Sequence, residues 1–155
     1  MMDLLVKLYD IYNLDETSFL KDNSIIIKRP IGPEKKTIGE WVEKNFTKGW
    51  ASECDVALSK TPPTCFIAIK NNSIIGFACY DSTIKGFFGP IGVLETERKT
   101  GVGKALLVRT LKQMYLDGYG YSIIGWAGPR EFFKKTVGAI EIPGSEGSVY
   151  KNMVK

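Results

Sequence analysis

The spacing of apolar residues changes several times along this chain, and the changes mark its elements. Residues 4–9 (LLVKLY) and 24–28 (SIIIK) are short apolar runs that predict strands, the second closing at Pro30. Residues 15–20 predict a helical turn between them. Pro33 suits the first position of a helix, and Ile38, Trp41, Val42 and Phe46 follow at helical spacing. Beyond Gly49, the stripe Trp50, Cys54, Ala57 and Leu58 predicts a second amphipathic helix, ended by Pro62-Pro63.

The second half is richer in strands. Residues 64–70 (TCFIAIK) and 74–80 (IIGFACY) flank Asn71-Asn72-Ser73, which predicts a β-hairpin. Residues 86–94 (GFFGPIGVL) predict a third strand with a flaw, because Pro90 has no N–H to give a ladder. With Gly89 and Gly92 beside it, the expectation is a bulged strand that leaves its neighbour near this point. A polar loop (95–100) precedes a helix marked by Val102, Ala105, Leu106, Leu111, Met114 and Tyr115, which stops at Gly118. A strand at 121–126, a short helix at 129–136 with Gly138 as its cap, and a last hairpin of 139–142 and 148–153 around PGSEG complete the chain. Helices early, then an antiparallel meander, then β–loop–α–β–α–ββ, describe an α/β (α+β) sandwich around one sheet.

Composition narrows the chemistry. The chain has 155 residues, 44% hydrophobic and 25% charged, which predicts one globular domain over 1–155, with 1–23 as an N-terminal extension packed on it. No apolar run reaches the roughly 18 residues of a membrane span, and the opening MMDLLVKLYDIYNLDE lacks the marks of a signal peptide. The expected setting is cytoplasmic, without membrane partners. Cys54, Cys65 and Cys79 are odd in number and lack CxxC spacing, so they read as core thiols and no metal site is expected. There is no histidine, which excludes Ser-His-Asp and Cys-His mechanisms and HExxH zinc sites. Any acid–base work falls to Glu, Asp, Tyr, Lys, Cys or water. The net charge of +4 suits an anionic small molecule as well as a nucleic acid, but no nucleic-acid recognition module is present, so no such partner is expected.

The informative segment is residues 93–107, VLETERKTGVGKALL, where a strand gives way to a helix. Of the 16 glycines, 12 lie beyond residue 85, so backbone is most open to close approach in this half. Free N–H groups and a positive dipole end mark a helix start, glycine admits a phosphate, and Arg98, Lys99 and Lys104 add charge. The pattern reads as a pyrophosphate cradle. It is not a P-loop, since Gly101 and Gly103 are too close and no Ser or Thr follows Lys104. It is not a dinucleotide fingerprint, since Leu106 stands where that motif has glycine.

The segment resembles the acetyl-CoA motif of the Gcn5-related N-acetyltransferase (GNAT) family, [QR]-x-x-G-x-[GA]. Arg98, Gly101 and Gly103 occupy its defining places, and Val93 stands five residues before Arg98. The element order from about residue 24 to 153 is also similar. The resemblance implies a central mixed, mostly antiparallel sheet with a bulged, splayed fourth strand and helices on both faces. It implies acetyl-CoA as cosubstrate, with the pantetheine arm along Ile91, Gly92, Val93 and Leu94. The N–H groups of Arg98, Lys99, Thr100, Gly101, Val102, Gly103 and Lys104 would hold the pyrophosphate. The N–H near Val93 would polarise the thioester carbonyl. Two features depart from the family pattern: no Asn follows the strand at 121–126, and Phe133 occupies the place of the tyrosine that protonates the CoA thiolate. Phe133 can pack on CoA but has no proton to give.

The implied activity is acetyl transfer to a primary amine by direct attack, with a small-molecule amine as partner. The alternative is a non-catalytic acyl-CoA-binding or sensor module on the same fold. Glu53 is the candidate base, and Trp50 with it would attract a cationic amine; the same pair also reads as a core tryptophan and a solvated helix charge. Tyr150 is the candidate acid, or a packing tyrosine of the last strand. Tyr80 is a candidate acceptor contact, with Asp81 beside it, or both are turn residues. Trp126 and Phe132 read as walls. A Cys79 acyl relay lacks a neighbouring base. The final hairpin either shapes the acceptor pocket or pairs across a homodimer.

Overall fold

A computed structural model describes residues 1–155. Seven strands form one sheet: β1 (Leu4–Lys7), β2 (Ile26–Lys28), β3 (Cys65–Lys70), β4 (Ser73–Tyr80), β5 (Phe87–Val93), β6 (Tyr121–Ile124) and β7 (Ile140–Glu141). Their spatial order is β2-β3-β4-β5-β6-β1-β7, and only β5 and β6 run parallel. Four helices cover it: α1 (Lys35–Asn45), α2 (Lys48–Leu58), α3 (Val102–Leu116) and α4 (Arg130–Val137).

Strand alternation sends side chains to two separate cores. Phe66, Ala68, Ala78 and Tyr80 face α3, where they meet Leu106, Leu107, Leu111 and Met114. Cys65, Ile67, Phe77 and Cys79 face α1 and α2, where they meet Ile38, Val42, Cys54 and Ala57. The expected mixed sheet with helices on both faces is therefore the observed fold. The bulge is present too: Ala78 pairs with Ile91 and Tyr80 with Phe88, so Gly89 and Pro90 stand opposite the single residue Cys79.

Two elements differ from the sequence expectation. Within residues 1–23, the expected strand forms at Leu4–Lys7 but lies inside the sheet, where the sequence predicts an extension resting on the domain. β1 lies between β6 and β7, and Leu4, Val6 and Leu8 are fully buried. The last hairpin does not form. β7 pairs with β1, and Ser148–Tyr150 is a single 3-10 turn. β7 is only two residues long, and Ser148, at the start of the expected second strand, adopts φ 47°, a left-handed conformation outside the strand region.

Candidate active site

β5 and β6 pair only at Phe87–Ile123 and Phe88–Ile124, then part. The cause is local. The bulge at Gly89-Pro90 turns β5, and β6 ends at Ile124 before Gly125. A cleft of about 760 Å³ opens at this divergence, floored by Phe88, Gly89, Pro90 and Ile91 on one side and Ile124, Gly125 and Trp126 on the other. Leu94 N–H donates to the Ile75 carbonyl at 2.9 Å, and Gly92 is opposite Phe77. Alternation in an antiparallel ladder therefore turns the peptide groups of Ile91 and Val93 toward the side where β6 has left. Gly92 is needed for packing: a Cβ there would come within 2.6 Å of the Phe46 ring.

On the α3 side of the split lies the motif at 98–104. Gly101 is the N-cap of α3 with φ 84°. A Cβ on it would collide with the Phe19 carbonyl oxygen, and Lys21 N–H donates to the Thr100 carbonyl at 2.9 Å. The N-terminal segment thus braces this loop. Arg98 and Thr100 N–H groups are spent in turns on Glu95 and Glu97 carbonyls, which departs from the expectation that they face a phosphate. Lys99, Gly101, Val102, Gly103 and Lys104 N–H groups have no backbone partner, and they stand at the positive end of a 15-residue helix. Residues 99 and 101–104 therefore fit a pyrophosphate.

Gly103 faces Phe132 and Val93, at 3.5 and 3.8 Å from an added Cβ. Phe132, not Phe133, is the ring beside the motif. Phe133 is buried at 2% exposure against Phe88, so it is removed from the set that touches a cofactor. Tyr80 is corrected as well. It is 2% exposed on the α3 face and donates its hydroxyl to Asp117 at 2.5 Å, away from the cleft. Asp81 is a turn residue that accepts from Gly86 N–H and the Tyr119 hydroxyl.

The opposite mouth of the cleft collects Trp50 and Glu53 of α2, Thr83, Trp126 and Tyr150. Trp50 serves both of its readings: it packs on Phe46 at 5.4 Å between ring centres and also lines the cleft. α2 begins where Thr47 caps it, accepting from Trp50 N–H at 3.0 Å, and this sets the phase that turns Trp50 and Glu53 to the cleft. Thr83 Oγ1 donates to Glu53 Oε1 at 2.6 Å. Burial pushes the Glu53 carboxyl above the ordinary glutamate range, and the Thr83 bond only partly opposes this. Burial and the Glu53 charge push the Tyr150 phenol up, with Thr83 again opposing.

Sequence reasoning missed the parts that hold these groups in place. Asp3 is 6% exposed and accepts from Trp126 N–H at 2.8 Å and from the Ser148 hydroxyl at 2.6 Å. Trp126, held at φ 48°, donates its indole N–H to the Glu146 backbone carbonyl at 2.7 Å and stacks on Tyr150 at 4.7 Å. The N-terminal strand therefore positions the C-terminal tyrosine. Met1 and Met153 also line the cleft. Thr83, in the turn after β4, carried no periodic signal.

The site thus joins a parted parallel strand pair, a helix start with free N–H groups and a carboxylate–hydroxyl cluster. A sequence profile of the acetyltransferase (GNAT) family matches residues 9–138, and the chain belongs to that family. No curated protein sequence matches it. Solved structures share the fold. The fungal GCN5-related glucosamine N-acetyltransferase region of a multi-domain GH3 β-N-acetylglucosaminidase superimposes with TM-score 0.74 at 17% identity, over 91% of this chain and 19% of that one. A GCN5-related N-acetyltransferase from Sphaerobacter thermophilus gives 0.67 at 17% identity, over 91% and 48%. The aminoglycoside acetyltransferase meta-AAC0020 from an uncultured soil metagenomic sample gives 0.53 at 19% identity, over 74% and 88%. The chain spans less than half the length of the first two. No helix is long and apolar enough to cross a membrane.

Proposed function

We propose that this chain transfers an acetyl group from acetyl-CoA to a small primary amine by direct attack, both substrates being held in the cleft together. The observation that carries this reading is the placement of Glu53, Thr83 and Tyr150 in the cleft at the β5–β6 split, with the free N–H row of α3 beside Val93 at the end of β5. Acetyl-CoA supplies the activated acyl group: the amine nitrogen bonds to its carbonyl carbon, the C–S bond breaks, and amide and CoA thiol leave. The chain contributes positioning and electrostatics.

Residues 99 and 101–104 hold the pyrophosphate, and Phe132 with Val93 walls the path toward the split. The Ile91 and Val93 peptides face the pantetheine, and the Val93 N–H polarises the thioester carbonyl. Glu53 takes the amine proton, directly or through one water, and its raised pKa makes it a better acceptor than an ordinary glutamate. Tyr150 stays protonated at neutral pH and donates to the departing thiolate, the role that Phe133 cannot fill. Trp50, Trp126 and the Glu53 charge favour a cationic acceptor. The aminoglycoside acetyltransferase among the similar folds acts on an acceptor of that kind.

The test is acetylation of a panel of polyamines, amino sugars and amino acids, read by release of free CoA thiol. Turnover lost in Glu53→Gln supports the reading. Acetyl-CoA binding with no turnover on any amine favours the alternative of a sensor module, for which the buried Phe133 is the supporting observation.

A further inference from the structure

The fold brings together three residues that are scattered in the sequence. Cys65 and Cys79 are directly paired across β3 and β4, and Cys54 of α2 lies over them. All three are free and fully buried, and their sulfurs lie within 4.8 Å of one another. The surrounding side chains are apolar, among them Ile38, Val42, Ile67 and Phe77. No other metal-ligating group joins the cluster.

We propose that Cys54, Cys65 and Cys79 form a binding site for a soft monovalent metal cation of the Cu(I) type. Softness is the first selector, because thiolates prefer Cu(I), zinc and iron–sulfur iron over hard cations. Coordination number is the second. Structural zinc takes four ligands, whereas the cluster offers three sulfurs in a dry shell. Geometry is the third. Metal–sulfur bonds of about 2.3 Å in a planar three-sulfur site place the sulfurs about 4.0 Å apart. The observed spacing closes to that with a shift of under about 1 Å, which a helix resting on a sheet can make. Binding is ligand exchange without redox change: each metal–sulfur bond replaces one to the donor complex, and the displaced thiol protons pass to solvent.

The position gives the site a consequence. Cys54 is next to Glu53, and α2 also carries Trp50. A bound ion ties α2 to β3 and β4 directly behind the acceptor mouth of the cleft. The site itself does not depend on acetyl transfer, and its test does not use that activity.

The reduced chain is titrated with Cu(I) under argon against a chromophoric Cu(I) chelator. The expected result is one equivalent bound, a raised melting temperature, and an X-ray absorption spectrum with three sulfur neighbours. Losing even an outer partner of a metal ligand costs about 10–100-fold in affinity, so Cys54→Ser and Cys79→Ala are each expected to lose about 100-fold or more. Slower alkylation of all three thiols with Cu(I) than without it, read by mass spectrometry on the wild-type chain in partly denaturing urea, gives the same answer should a variant fail to fold. No uptake by the folded chain, affinity unchanged in folded variants, or Zn(II) bound in preference to Cu(I) would overturn the proposal.

Discussion

Gly101 and Gly103 belong to one motif but constrain it differently, and one substitution at each separates them. At Gly101, φ 84° is a left-handed conformation that costs an L-residue about 1–2 kcal/mol. The added Cβ also collides with the Phe19 carbonyl. Relief requires moving the 17–20 segment away, which strains the Lys21–Thr100 hydrogen bond, a further loss of about 1 kcal/mol. The sum is about 2–3 kcal/mol. At about 2–4 °C per kcal/mol for a chain of this size, Gly101→Ala is expected to melt about 4–12 °C lower. At Gly103 the nearest atom to a Cβ is Phe132 Cζ at 3.5 Å, an ordinary contact, and a carboxylate in the first turn of a helix is favourable. Gly103→Asp therefore keeps its melting temperature. Its carboxylate projects beside Phe132, Val93 and the free N–H row, where it repels a pyrophosphate, so acetyl-CoA affinity falls about tenfold or more, equivalent to about 1.4 kcal/mol. Circular-dichroism melts without ligand and calorimetric titration with acetyl-CoA read the two effects. A Gly101→Ala protein as stable as wild type, or a Gly103→Asp protein that binds as well as wild type, would refute the reasoning.

Other substitutions test the remaining parts. Glu53→Gln is expected to lower kcat by about 10²–10⁴ with little change in melting temperature. Because the base works ionised, the wild-type rate rises as pH climbs through a value above the ordinary glutamate pKa, and that limb vanishes in the variant's pH–rate profile. Asp3→Ala leaves Trp126 N–H and the Ser148 hydroxyl without their acceptor; a cost of about 1–3 kcal/mol and a shift in tryptophan fluorescence are expected. Leu4→Ala opens a cavity in fully buried β1 and is expected to cost about 2–5 kcal/mol in urea unfolding, far more than an extension lying on the surface would. Burial alone would raise the Glu16 carboxyl, but Lys112 at 2.9 Å and then Arg109 at 3.6 Å outweigh it and hold it low. Its stabilisation is therefore present above the ordinary glutamate pKa and lost as pH falls through the lowered value. The gap in melting temperature between wild type and Glu16→Gln is expected to close in acid.

What the sequence made legible was local. Pro90 beside Gly89 announces a bulge because proline lacks an N–H and glycine yields, so the split between β5 and β6 follows from a few adjacent residues. The hairpin of β3 and β4 and the start of α3 are equally local. The place of β1 was not legible, because its partners Ser122, Ile123 and Ile140 lie more than a hundred residues away. The expected last hairpin failed for a local reason, the left-handed Ser148 after a two-residue β7. Phe132 and Phe133 are neighbours on α4, and one residue of helix phase decides which faces Gly103 and which is buried. Tyr80 fell on the wrong face for a similar reason: alternation places it with Phe66 toward α3, while Cys79 faces α2. Trp50 and Glu53 were legible as a pair because α2 keeps regular helical phase. Thr83 and Asp3 act through tertiary contacts that no local pattern marks.

The central claim is that the split between β5 and β6, together with the start of α3, is an acetyl-CoA site. Calorimetric titration of the wild-type chain with acetyl-CoA, beside the stable Gly103→Asp variant, addresses it most directly. The account predicts one site with a dissociation constant of about micromolar in the wild type, corresponding to about 8 kcal/mol, and at least about tenfold weaker binding in the variant. No binding to the wild-type chain, or equal binding to both proteins, would contradict it.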